Sequence, residues 1–118
     1  MGDGDDIEVG RSAVVAGATQ EVAQLERLIG ACRRMQDELQ ESLTLMDGGY
    51  TMTTILSRGG TSDVIPRLTE ELERTNASRR LGRGAMIRLA LAEGMTTTQL
   101  AERLGISRQL VARYRDET

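Results

Sequence analysis

A chain of 118 residues is long enough for one domain, or for one small domain with an extended oligomerisation element. With one Pro, two Tyr, no Phe and no Trp, its core must come from Leu, Ile, Val, Met and Ala, which suits helices packed on one another or on a second copy. The net charge of −3 conceals a division: residues 1–73 carry 6 Arg against 14 Asp or Glu, whereas residues 74–115 carry 9 Arg against 2 Glu, which excludes an evenly acidic surface and marks the C-terminal third for a polyanion.

Residues 1–11 are rich in Gly and Asp and are expected to form a disordered, solvated tail. Their DGDD run lacks the alternating oxygen ligands and the later Glu of a calcium loop. A helical pattern runs from Ser12 to about Met46. With Val15 at heptad position a, the a and d sites read Val15, Ala18, Val22, Leu25, Ile29, Cys32, Gln36, Leu39, Leu43 and Met46. Only Gln36 interrupts this apolar series, which predicts a coiled-coil or bundle helix. Val22, Leu25, Ile29, Cys32, Leu39 and Leu43 are the expected dimerisation residues, and Cys32 reads as a buried structural thiol. Leu28 and Met35 widen the stripe, which favours a bundle or a folded-back second helix over a bare two-stranded seam. Gly17 and Gly30 weaken the helix by about 1 kcal/mol each.

Residues 47–62 form a connector. Gly48-Gly49 and Gly59-Gly60 stop helices, and TMTTIL between them predicts a short helical or extended piece in a loop. A second helix is expected from about Ser62 or Asp63, with Pro66 tolerated in its first turn. Val64 or Ile65, Leu68 and Leu72 form a short apolar stripe that folds back on the first helix, and this second helix frays through Thr75-Asn76 or runs on toward Leu81. Residues 12–76 are thus expected as a helical dimerisation region. ASRRLGRG follows without apolar periodicity, and residues 77–83 are expected as a basic hinge.

Residues 84–115 read GAMIRLALAEGMTTTQLAERLGISRQLVARYR. Gly94 stops a helix over about 85–93. Thr96 and Gln99 form a capping box for a second over about 97–104, and Ser107 caps a third over about 108–115. Ala101 leaves room for two helices to cross, Gly105 suits a left-handed turn, and Ile106, Val111 and Tyr114 are placed to pack inward. The segment resembles the helix-turn-helix superfamily, most closely the trihelical modules of site-specific recombinases, transposases and region 4 of sigma factors. Tyr114 stands where that pattern usually has Ile, Leu or Trp. The resemblance covers about the last 35 residues, within an expected domain of residues 84–118, and leaves the N-terminal region unmatched.

The resemblance implies that the third helix enters the major groove of double-stranded DNA. Ser107, Arg108 and Gln109 would then face base edges, with Arg113 one turn later and Arg115 beyond it. Thr97, Thr98 and Gln99 would approach phosphates near the start of the second helix. Arg79, Arg80 and Arg83 precede the domain like an arm that reaches phosphates or the minor groove.

The fold class expected is all-α: a long coiled-coil or bundle helix, a shorter helix, and a C-terminal trihelical helix-turn-helix. The chain has no His, which removes the commonest proton shuttle and metal ligand, and the lone Cys32 excludes an internal disulfide. Carboxylate pairs such as Asp37-Glu38 and Glu70-Glu71 lie on amphipathic helices and read as solvated faces. No catalytic residue, metal site or cofactor is expected. No apolar run approaches the ~18 residues of a membrane span, and no signal peptide is visible, so a cytoplasmic, nucleoid-associated place is expected. The function expected is that of a non-enzymatic, sequence-specific DNA-binding protein, a homodimeric transcriptional regulator. The alternatives are an accessory DNA-binding protein of a phage, plasmid or other mobile element (a repressor, excision or partition factor), and a helical adaptor whose N-terminal helices hold a protein partner.

Overall fold

The computed structural model describes residues 3–58 and 60–117. They form five helices, α1 (Asp3–Asp47), α2 (Met52–Ser57), α3 (Gly60–Ala92), α4 (Thr97–Leu104) and α5 (Arg108–Asp116), and no strand is found among them. No helix among the described residues is long and apolar enough to cross a membrane. The chain divides into two compact units: Met1–Val22 with Ala77–Thr118, and Ala23–Asn76.

Within Ala23–Asn76, α1 and α3 pack antiparallel. Gln24 meets Glu71 and Thr75, whereas Glu41 meets Arg58, so partner numbers fall as α1 advances. The buried side of α1 here runs Gln24, Leu28, Ala31, Met35, Glu38, Ser42 and Leu45, at spacings of three and four. On α3, Val64, Leu68, Glu71 and Thr75 are buried or half-buried at the same spacings, and Gln24 meets Glu71 and Thr75. The heptad period expected from the sequence is therefore present with its phase moved back by one residue. Leu28 and Met35, expected only to widen the stripe, belong to the seam itself. Val22, Leu25, Ile29, Leu39 and Leu43 stay exposed. Cys32, expected as a buried thiol at a heptad core position, is exposed in the single chain as well. The period of a heptad is intrinsic to one helix, but its phase is decided by the partner stripe that fits it.

A polar layer crosses this seam. Gln24 Nε2 donates to Glu71 Oε2 at 2.8 Å and to Thr75 Oγ1 at 3.3 Å, and the Thr75 hydroxyl donates to the Glu71 carbonyl at 2.7 Å. All three residues are buried. Burying such groups costs stability unless every partner is present, and in return one helix register is strongly preferred. In the connector, Thr51 caps α2 by accepting the Thr54 N–H at 3.2 Å, and Ile55 is buried.

In the other unit, α1 begins at Asp3, which corrects the disordered tail over its described residues. Asp5 and Asp6 complement the positive end of the helix dipole. Docking supplies what the poor propensity of Gly lacks: Gly10 lies so close to Leu89 that a Cβ would stand 3.0 Å from Leu89 Cδ1. The expected basic hinge over residues 77–83 is likewise corrected, because those residues are helical within α3. Their periodicity is one of small residues. Ser78, Gly82 and Ala85 are buried at spacings of four and three, and a Cβ on Gly17 would sit 3.5 Å from the Gly82 Cα. Close approach of two backbones leaves no room for the apolar side chains by which a seam is normally recognised.

Candidate nucleic-acid interface

The C-terminal third is assembled by local signals that each close one end of a helix. Gly94, at φ 109°, ends α3: its N–H donates to the Leu91 carbonyl at 3.1 Å, and the Met95 N–H reaches the Ala90 carbonyl at 3.0 Å. Thr96 Oγ1 accepts the Gln99 N–H at 3.1 Å while Gln99 Oε1 accepts the Thr96 N–H at 2.9 Å, a complete capping box at the start of α4. Gly105 turns the chain at φ 66°, a left-handed value that side chains with a Cβ rarely adopt, and the Ile106 N–H donates to the Ala101 carbonyl at 3.1 Å. Ser107 Oγ then accepts the Leu110 N–H at 3.0 Å and starts α5.

These turns let the helices share a small core. Ile87, Leu100, Ala101 and Val111 form its centre, and Ile87 and Val111 are 0% exposed. Ala90, Leu91, Met95, Ile106 and Tyr114 pack around it. Burying side chains of the size of Ile87 and Val111 stabilises the unit by roughly 1.5–3 kcal/mol each. The first helix of the trio, expected over about 85–93, is the final stretch of the 33-residue helix α3.

One arrangement had no signal in the sequence. Arg88 Nη1 donates to the carbonyl of Tyr114 and to that of Glu117, both at 2.9 Å. A cation thus satisfies carbonyls at the C-terminal end of α5, the negative end of its dipole. Nothing local marks Arg88, since its partners lie 26 and 29 residues away.

With α5 fixed at both ends, Arg108 and Gln109 stand exposed in its first turn, and Arg113 is exposed one turn later. Ser107 is exposed with its oxygen already accepting the cap bond. On α4, Thr98 and Gln99 are exposed and Thr97 is half-buried; Gln99 keeps its amide N–H₂ free of the cap. Arg103, also exposed, lies in the last turn of α4 and was not among the expected contacts. Arg115 is engaged by its neighbour, its Nε donating to Asp116 Oδ1 at 3.0 Å. Arg79 and Arg80 are exposed and Arg83 is half-buried, but all three ride on α3 instead of a loose arm. Arg80 shares a depression with Arg88 and Glu117, beside the C-terminal end of α5 and away from Arg108. Among the described residues no group of His, Cys, Asp or Glu is placed to hold a metal ion.

Residues 75–118 match the family described as a homeodomain-like domain. The C-terminal region is a helix-turn-helix DNA-binding module. The match begins at residue 75, so the module takes in the last part of α3 as its first helix. Residues 1–74 lie outside it. No curated protein and no solved structure matches the chain.

Proposed function

We propose that the chain is a sequence-specific DNA-binding protein that works as a homodimeric transcriptional regulator and reads base edges with the first turn of α5. The observation that carries this reading is the exposure of Arg108 and Gln109 directly after the Ser107 cap, at the end of α5 that enters the groove in such modules. Arg pairs with guanine O6 and N7, and Gln with adenine N6 and N7. Thr97 and Thr98, at the start of α4, approach the phosphate backbone, and Arg79 and Arg80 add affinity without base discrimination. The protein acts by binding and not by catalysis: its chemistry is concentrated in arginines, and it has no His to move a proton. Such a ligand places it with the nucleoid in the cytoplasm.

The test is a binding titration of Arg108→Ala, Gln109→Ala and Arg80→Ala against selected and scrambled DNA at two salt concentrations. Each base-reading substitution should cost roughly 1–3 kcal/mol on the selected site and relax preference at one or two positions. Arg80→Ala should weaken both DNAs alike and lower the salt slope by about 1. A selected-to-scrambled ratio unchanged in folded Arg108→Ala and Gln109→Ala would show that α5 is not the reader.

A further inference from the structure

Within Ala23–Asn76, the seam between α1 and α3 divides the surface of the helical hairpin into two unlike sides. Residues one position before the seam include Arg27 and Arg34 on α1 and Arg67 and Arg74 on α3. These four line a single charged cleft over Gly30. Residues one position after the seam lie about 100° around each helix in the other direction. On α1 six of the seven are Leu25, Ile29, Cys32, Leu39, Leu43 and Met46, with Gln36 among them, and on α3 Ile65 and Leu72 alternate with Thr69 and Asn76. All are exposed. Since the preceding residues of both helices meet on the cleft side, the following residues of both helices share the opposite side. The stripe of α1 and the stripe of α3 are one apolar face.

We infer that this face is the homodimer interface, and that two hairpins dock through it to form a four-helix bundle. The inference rests on the dimeric reading above and names the surface that reading needs. Three observations favour a second copy as the occupant. Each helix has two seams about 100° apart, which is what a helix needs in order to touch two neighbours in a four-helix bundle, and one hairpin supplies only half of those helices. Seven large apolar side chains on the face are each 39–59% exposed, on the order of several hundred Å² of apolar surface per copy, the scale at which exposed patches mark protein–protein sites and approaching the roughly 800 Å² per partner of a stable interface. Its rim carries both signs, with Arg33 following Cys32 on α1 and Glu73 following Leu72 on α3, so that a two-fold axis can bring opposite charges together. Cys32 becomes buried in this arrangement, and its thiol reports the interface without any label being engineered.

Sedimentation of the full chain at micromolar concentration should give twice the chain mass. Leu39→Asp and Leu72→Asp should each weaken self-association about a hundredfold or more, because each buries an unpaired carboxylate. Arg34→Ala, on the cleft side, should leave it unchanged. Leu72 decides between surfaces, since a dimer formed through α1 alone would not contain it. A stable dimer unaffected by Leu72→Asp, with circular dichroism showing that variant folded, overturns the hairpin face and leaves dimerisation standing. Alkylation of Cys32 in the unsubstituted protein tests the same point without a variant: its rate should fall at least tenfold as concentration rises through the association range. A rate that does not change, in a chain that stays monomeric, overturns both the face and the dimer and leaves a different helical protein as the occupant. DNA binding by α5 is measured separately and stands or falls by its own titration.

Discussion

The Arg115 guanidinium donates to the Asp116 carboxylate, and that hydrogen bond holds Asp116 below the usual carboxylate range and raises Arg115 above its ordinary value. An arginine expected at DNA therefore carries its own counter-charge. Asp116→Asn should tighten binding to every sequence and steepen the salt dependence by about one counterion, as read from titrations at several salt concentrations. An unchanged slope would mean that Arg115 does not reach a phosphate. Arg88 is a second case in which one side chain governs a helix end. Arg88→Leu leaves the Tyr114 and Glu117 carbonyls without their charged donor, and thermal unfolding should show a loss of about 1–3 kcal/mol. The two residues differ in how far the sequence exposes them. The Thr96 box, the Gly105 turn and the Ser107 cap were legible because each bond closes within a few residues. The Arg88 clamp was not, because its geometry exists only after α5 has folded back on α3.

At the level of helices, the bounds of α4 and the starts of α4 and α5 were legible, and the partner of α1 was half legible. Alternation of three and four along α1 fixed the period, and the choice of stripe was missed by one residue. Apolarity favoured the stripe through Leu25, Ile29 and Leu39, yet the chain folds on the stripe through Gln24, Leu28 and Ala31. The explanation lies in α3, whose facing residues include Glu71 and Thr75 and match the polar Gln24 better than any leucine. The hinge over residues 77–83 was misread for a related reason, since Ser78, Gly82 and Ala85 form a seam too small to register as hydrophobic. Limited trypsin digestion separates the two descriptions. Arg79 and Arg80, in the body of α3, should resist cleavage, and the first cut should fall after Arg58 in the connector. Early cleavage at Arg79 or Arg80 would restore the hinge. Gly105→Val tests the turn between α4 and α5: a β-branched residue at φ 66° costs about 1–3 kcal/mol or more, and helical circular dichroism should melt at a lower temperature.

For the molecule as a whole, a single helix-turn-helix with so small a core has few contacts with which to discriminate sites, and pairing two copies doubles them. Sequencing of genomic fragments selected on the protein should return a pair of inverted half-sites, spaced by about 10–10.5 base pairs or a multiple of that. A lone, asymmetric site would argue against a two-fold assembly on DNA. The negative charge of residues 1–73 should disfavour contact between them and a duplex, and binding through the basic residues 74–115 should fall steeply with salt although the protein is acidic overall.

Tyr114 is half-buried against the core of the DNA-binding module, Tyr50 is exposed in the connector, and there is no Trp. The chain is therefore optically divided. Near-ultraviolet dichroism, which needs an aromatic ring in a fixed asymmetric setting, comes from Tyr114 with little contribution from Tyr50. Far-ultraviolet dichroism is dominated by the residues of α1 and α3. Recorded together on one unlabelled sample, the near-ultraviolet signal follows the packing around Tyr114 and the far-ultraviolet signal the helices of the whole chain, and a difference between their melting curves would show that the core around Tyr114 loosens at a different temperature from the bulk of the helices.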